Sequence, residues 1–399
     1  MKKILIFSHA MELGGAERAL LGMLERIDYK VCEVELFLMR HTGDLFQYLP
    51  KEVHLLPELP EYACLAVPIA KVLTNGKLGV ALGRFVGKTL AKRKVKKLKI
   101  TGENIIGLEY SHKFTKWFMP KIGNGEYDLA ISFLTPHYFV ADKVEAKKKI
   151  AWIHTDYSKI GVDITSELKM WNKYDYIASI SDEVTGKFLK LFPTLKSKIR
   201  LIENVLPTKC IVKQSIEFSV ENEMIQDGSI KLLSIGRFCK AKNFDNVPEI
   251  CKRIFDKGFN IKWYLIGFGG DEDLIRRKII EYKMEERVII LGKKVNPYPY
   301  IKACDLYIQP SRYEGNSVTV HEAQFLNKPV VITKYSTSDS QLRNQEDGII
   351  VPMDNAGCAE GIVSLLNNPT KVEILKENCG VKDYTGTEIR NQLEKLIEN

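Results

Sequence analysis

Pro310-Ser311-Arg312-Tyr313-Glu314-Gly315-Asn316-Ser317-Val318-Thr319-Val320-His321-Glu322-Ala323 follows an apolar run, Leu306 to Gln309, and leads into a segment whose spacing predicts a helix to about Asn327. The order is strand, polar turn, helix N-terminus. Gly315 lets a ligand approach the backbone, and the amides of Asn316, Ser317 and Val318 lie where a helix dipole attracts an anion. The turn is therefore expected to seat a diphosphate. Glu314 stands just before the helix and Glu322 one to two turns inside it, so two carboxylates flank the seat at different depths. Carboxylates repel phosphate and accept hydroxyl hydrogen bonds. A nucleotide-sugar offers hydroxyls on both sides of its diphosphate, on the ribose and on the sugar ring.

Two glutamates eight apart are common on surface helices, so the reading depends on what surrounds them. With 399 residues, 45% of them apolar, the chain is long enough for two cores. Lys3 to Ser8 reads as a buried strand. It runs into Met11-Glu12-Leu13-Gly14-Gly15-Ala16-Glu17-Arg18, which opens a helix with Ala19, Leu20, Met23, Leu24 and Ile27 on one face. The Gly14-Gly15 turn lacks the spaced third glycine, and no acid ends the next strand, Val31 to Met39, which argues against a nicotinamide dinucleotide. Tyr127 to Phe133 is a further strand, and Lys149 to Ile153 ends in His154-Thr155-Asp156, a strand end of the kind that faces ligands. Tyr176 to Ile180 passes into a helix with Ser181 as its N-cap.

Residues 206–228 are polar and weakly periodic and read as a linker. A second strand and helix series begins near Ile230. Lys231 to Ile235 is followed by Gly236-Arg237-Phe238-Cys239-Lys240-Ala241-Lys242, in which Arg237 and Lys242, five apart after a glycine, suit a diphosphate. Ile261 to Ile266, Val288 to Leu291 and Val330 to Thr333 supply further strands. The predicted domains are 1–205 with a crossover helix at 385–399, and 229–384.

The eight cysteines form no Cys-x-x-Cys pair and no zinc spacing, and read as reduced and structural. Asp271-Glu272-Asp273 sits at a helix start and reads as capping. No metal or other cofactor is expected. The formal charge of +9 is concentrated, because residues 71–99 hold ten Lys or Arg and no acid. There Leu78, Leu82, Phe85, Val86 and Leu90 recur at helical spacing beside Lys88, Lys92, Arg93, Lys94, Lys96 and Lys97. A basic amphipathic stretch of this kind suits an anionic membrane surface or a diphosphate-bearing lipid, the alternatives being a solvated charged face and a nucleic-acid patch. No nucleic-acid-binding module accompanies it. No apolar stretch is long enough to span a bilayer.

With Glu314, seven residues and Glu322, together with Gly14-Gly15, His154, Arg237 and Lys242 in order, the chain resembles the large family of retaining glycosyltransferases that assemble bacterial polysaccharides. That resemblance implies two Rossmann-like α/β domains facing each other across a cleft, the GT-B fold. It implies that Glu322 binds the ribose hydroxyls and Glu314 lies by the donor sugar, with Gly315, Asn316, Ser317 and Val318 on the diphosphate. Arg237 and Lys242 hold the same diphosphate, Lys293 and Val295 lie near the base, His154 is near the reacting carbon, and Gly14 and Gly15 line the donor and acceptor side. The implied reaction moves a sugar with retention and without a metal. The donor is a nucleotide-sugar, expected to be UDP-linked. The acceptor is expected to be a polyprenyl-diphosphate-linked glycan, met by a cytoplasmic protein peripherally attached to the inner face of the membrane. The alternatives are a nucleotide-sugar epimerase of the same fold and a catalytically silent partner subunit of a transferase.

Overall fold

The computed structural model describes residues 1–315, 317–381, 392, 395 and 396. Two compact units are present. The first comprises Met1–Val205 and takes in Leu396, which is buried in its core, and the second is Leu206–Thr385. Asn316 and most of 385–399, the predicted crossover helix, lie outside the described residues.

In the first unit the strands are β1 (Lys2–Ser8), β2 (Cys32–Leu38), β3 (His54–Leu55), β4 (Tyr127–Ser132), β5 (Ala146–Ile153), β6 (Tyr176–Ser179) and β7 (Ile199–Leu201). Among the described residues they form one parallel sheet in the order β3-β2-β1-β4-β5-β6-β7. Ile4, Leu5, Ile6 and Phe7 are all buried, the unbroken apolar run expected of a strand covered on both faces.

The second unit holds β8 (Ile230–Ile235), β9 (Ile261–Ile266), β10 (Val288–Gly292), β11 (Leu306–Gln309), β12 (Val330–Thr333) and β13 (Ile349–Val351). They pair in parallel as β10-β9-β8-β11-β12-β13. Both units are Rossmann-like. The strand order reverses between β1 and β4 in one and between β8 and β11 in the other, and the loops at the carboxyl ends there are where such sheets bind ligands.

Residues 206–228 are not a linker. Leu206, Ile211, Val220 and Met224 are buried in the second unit's core, and Asn296 Nδ2 ties the segment down through Gln214 O and Glu217 Oε2, both at 2.8 Å. Its few apolar residues are spaced irregularly because they wrap a sheet rather than follow one helix face.

The basic segment forms a helix, Leu78–Leu98, lying against the helix Ile106–Thr115. What it buries is a small-residue face. A Cβ on Gly83 would lie 2.7 Å from Phe114 O, and one on Gly87 would lie 2.7 Å from Tyr110 O, so glycine lets the two backbones meet. Leu78, Leu82 and Phe85 are left exposed.

Beneath that pair lies a buried acid pair. Glu109 accepts from Tyr138 OH at 2.6 Å, and Glu167 accepts from Tyr157 OH at 3.1 Å and Trp171 Nε1 at 3.2 Å. Burial, then the charge of Glu109, pushes the Glu167 carboxyl up to about 8. A carboxyl raised on folding contributes stability that is full below the ordinary carboxylate range and is lost as pH rises toward 8. Glu167→Gln, which cannot ionise, should therefore gain on the native protein by about 1.4 kcal/mol per pH unit between roughly pH 5 and 8. Chemical denaturation at several pH values checks this, and a gap that does not grow with pH would contradict it.

Candidate functional site

At the switch point of the second sheet, the loop after β8 and the turn after β11 are joined by four sets of bonds. Asn243, in the left-handed region at φ 61°, donates from Nδ2 to Pro310 O at 2.9 Å. Arg312 makes a bidentate pair with Asp245, both bonds at 2.8 Å, and reaches Lys240 O at 2.7 Å. Arg312 N donates to Ala241 O. Lys242 Nζ meets Glu314 Oε1. The two motifs that carry the sequence argument thus form one structure, although about 70 residues separate them.

Glu314 is held firmly. Besides Lys242, its Oε1 accepts from Ser311 Oγ at 2.6 Å and Gln309 Nε2 at 3.2 Å, while Thr337 Oγ1 donates to its carbonyl at 3.0 Å. The bonds from Lys242, Ser311 and Gln309 converge on Oε1, and none of the three takes Oε2. Arg237, at the end of β8, is exposed and makes no hydrogen bond or ion pair among the described residues. It is a cation positioned without an internal partner. Gly236 packs on the Lys242 stem, with the site for a Cβ 3.1 Å from Lys242 Cδ.

The helix Val318–Phe325 follows the turn. Glu322 on it is 0% exposed and accepts from Tyr298 OH at 2.8 Å, so its carboxylate is covered in this conformation. The amide of Ser317, expected to be open to a diphosphate, instead donates to Gln341 Oε1 at 2.6 Å, and Gln341 Nε2 lies 2.9 Å from His321 Nε2. A side-chain amide from the helix Ser338–Gln341 caps this N-terminus. Asn316 lies outside the described residues, and Val318 is the first residue of the helix. Gly315 is half-buried.

Lys293 and Val295 are exposed in the loop after β10, and Lys293 Nζ stands 5.7 Å over the ring of Phe268. Phe268, exposed in the loop after β9, was not singled out from sequence, and a lone aromatic beside Gly267 and Gly269-Gly270 is its only trace there. Lys294, between Lys293 and Val295, turns away to pair with Glu223. Glu272 of the Asp271-Glu272-Asp273 run pairs with Arg276 at 2.7 Å, and Asp271 is the N-cap of that helix without a side-chain cap bond. Among the described residues no three His, Cys, Asp or Glu side chains converge as a metal site.

In the first unit, Gly14 is the extended N-cap of the helix Gly15–Arg26, and a Cβ on it would meet Glu17 Oε2 at 2.2 Å. The absent side chain gives Glu17 its place over the helix start, where burial raises its carboxyl. His154 follows β5 against the Phe133 ring, 4.6 Å between centroids. Burial lowers its imidazole to about 3, a hydrogen bond to the Phe133 backbone opposing only in part, so the ring is neutral at physiological pH. Its Nε2 is buried without a hydrogen-bond partner among the described residues.

Three more histidines gather in this unit. His9 follows β1 and is lowered to about 4, and His137 follows β4 and is lowered to about 3, both chiefly by burial. His112, on the helix Ile106–Thr115, lies 5.7 Å from His9 between ring centroids. His9 Nε2 and His112 Nδ1 are also buried without hydrogen-bond partners among the described residues. Neutral rings with an open nitrogen suit hydroxyl groups and not phosphates. Sequence reading found only His154 because the others are scattered over more than a hundred residues.

Of the six basic residues assigned to a membrane or acceptor surface, Lys94 is engaged elsewhere, with Asp163 at 3.1 Å. Lys88, Lys92, Arg93, Lys96 and Lys97 are exposed. No described helix is long and apolar enough to cross a membrane.

Residues 215–380 match the family described as glycosyl transferases group 1. That stretch holds the Arg237 to Lys242 loop and the Glu314 turn. An uncharacterised glycosyltransferase of Methanocaldococcus jannaschii is 26% identical over 247 residues, covering 61% of this chain and 60% of that protein. The Campylobacter jejuni N-acetylgalactosamine-N,N'-diacetylbacillosaminyl-diphospho-undecaprenol 4-alpha-N-acetylgalactosaminyltransferase is 27% identical, covering 45% of this chain and 51% of that one. The Staphylococcus aureus capsular polysaccharide biosynthesis glycosyltransferase CapM is 28% identical, covering 41% and 44%. The chain thus spans less than two thirds of each of these relatives. Over the full length of both chains, the fold is similar to Anabaena HepE in complex with UDP and glucose, at a TM-score of 0.66 and 15% identity. At that identity the likeness shows the fold, which is GT-B. The second unit is thus similar to glycosyl transferases group 1 over residues 215–380.

Proposed function

We propose that this protein is a retaining glycosyltransferase that moves a sugar from a UDP-linked donor to a polyprenyl-diphosphate-linked glycan, at the inner face of the membrane, in bacterial surface polysaccharide synthesis. The observation that carries the reading is the joining of the Arg237 to Lys242 loop to the Glu314 turn at the switch point of the second sheet. The C. jejuni relative, named for a diphospho-undecaprenol acceptor, supports the acceptor class, and CapM, named for capsular polysaccharide biosynthesis, supports the process.

In this reading the diphosphate lies against Arg237 and Lys242, which stabilise its growing charge as the glycosidic bond to phosphate breaks. Glu314, anchored through Oε1, accepts a hydroxyl of the donor sugar through Oε2. Glu322 takes the ribose hydroxyls once its carboxylate is uncovered. Phe268 offers a face to the base, with Lys293 and Val295 beside it, and His154 accepts a sugar hydroxyl as a neutral ring. A hydrolase pairing of the two glutamates does not suit the site, because glycosidases need carboxyls on opposite sides of one bond.

The test is a thermal-shift panel of UDP- and GDP-sugars on the full chain, followed by transfer to a polyprenyl-diphosphate glycan and determination of the product's anomeric configuration. Donor-dependent stabilisation and a retained configuration are expected. Inversion would overturn the retaining assignment, and epimerised donor without transfer would favour the epimerase. Since cations surround the diphosphate seat, activity should persist in EDTA. Complete loss that magnesium restores would contradict that expectation.

A further inference from the structure

Arg84, Lys88, Lys92 and Lys96 recur every four residues along the helix Leu78–Leu98 and line a groove of about 750 Å³. Successive members of this ladder are about 6 Å apart along the axis. Its floor is apolar, from Ile69, Ala91 and Val95, and Asn104 and Ser111 close the far wall. Arg84 fixes one end by donating to Cys64 O and Val67 O.

Like charges at i and i+4 repel one another, and this helix stacks them with no acid anywhere in residues 71–99. Of the other cations on the segment, Lys77 pairs with Glu61 and Lys94 with Asp163. Lys88, Lys92 and Lys96 have no carboxylate partner among the described residues. Charge complementarity therefore points to an anion, and the apolar floor points to one that carries hydrocarbon.

Toward the helix N-terminus, steps of three and four residues lead from Lys96 and Lys92 through Thr89 to Phe85, Leu82 and Leu78. Those three apolar side chains are 63%, 57% and 66% exposed. One helix face thus passes from uncovered apolar residues to unpaired cations, as surface-lying membrane helices do. A polynucleotide would use the cations but give no reason to leave Leu78 and Leu82 uncovered.

We propose that this groove seats the phosphate headgroups of an anionic lipid leaflet on Lys88, Lys92 and Lys96, with Leu78, Leu82 and Phe85 inserted alongside. The proposal rests on the reading of a membrane-borne acceptor and adds where and how the leaflet is held. Off-ladder cations such as Arg93 and Lys97 contribute only diffuse charge.

The test is co-sedimentation of the full chain with phosphatidylcholine vesicles, with and without phosphatidylglycerol, comparing two variants of equal charge. K92Q/K96Q should weaken binding to the anionic vesicles at least about tenfold, and R93Q/K97Q less than about threefold. L82S/F85S should weaken it as well while retaining its salt dependence. Unchanged thermal shift with the donor sugar-nucleotide shows that each variant is folded. Equal losses in the two charge variants would overturn the groove while leaving peripheral attachment standing. No vesicle binding by the native chain would remove both the groove and the peripheral attachment. Ladder-dependent binding of inorganic diphosphate or RNA without vesicle binding would overturn the lipid assignment in favour of that ligand.

Discussion

Turnover of Arg237→Ala is expected to fall about a hundredfold or more, a loss of roughly 3 kcal/mol of transition-state stabilisation. Arg237 is exposed and has no bond to the rest of the fold among the described residues, so its removal should leave the native structure and its melting temperature unchanged. The loss would then belong to the chemistry. Lys242→Ala should cost at least as much, for two reasons that can be separated. It removes a cation from the leaving diphosphate, and it removes one of three groups that fix Glu314 Oε1. Lys242→Arg keeps the charge and should recover part of the rate, whereas Lys242→Met should not. Near-normal turnover in both Arg237→Ala and Lys242→Ala would sink the diphosphate role.

The second expected result divides the two glutamates. Glu322→Gln should weaken nucleotide binding by about tenfold or more, the scale of losing hydrogen bonds to a charged acceptor, with turnover at saturation within about threefold of native. Glu314→Gln should chiefly lower turnover and leave KM near its native value, since Glu314 is proposed to touch the sugar and not the nucleoside. Identical kinetic profiles for the two glutamate variants would contradict the division.

The architecture was legible because buried parallel strands announce themselves as short apolar runs. Those at β1, β4, β5, β8, β9, β11 and β12 all emerge within a few residues of where the sequence places them. Arg237, Lys242 and Glu314 were legible for a related reason, since each follows such a strand and the sheet's topology carries it to the switch point. What was not legible depends on side chains meeting across long separations. Gln341 caps Ser317 from 24 residues away, and Arg312 locks to Asp245 from 67. The 206–228 segment failed for a different reason. Its polarity is real, but four well-placed apolar residues suffice to bind it to a core, and no periodicity marks them. The basic helix shows the reverse case. Helical spacing was read correctly, yet the face that packs is made of Val80, Ala81, Gly83, Gly87 and Ala91, mostly small residues that stand out little in an apolar pattern.

The loops at the β8 and β11 switch point are proposed to hold a nucleoside diphosphate. Calorimetric titration of the full chain with UDP, in EDTA, tests it without requiring the acceptor or the sugar. Saturable one-site binding is expected, weakening strongly in Arg237→Ala and in Glu322→Gln. The absence of saturable UDP or GDP binding, or UDP binding that both substitutions leave unchanged, would contradict the diphosphate site.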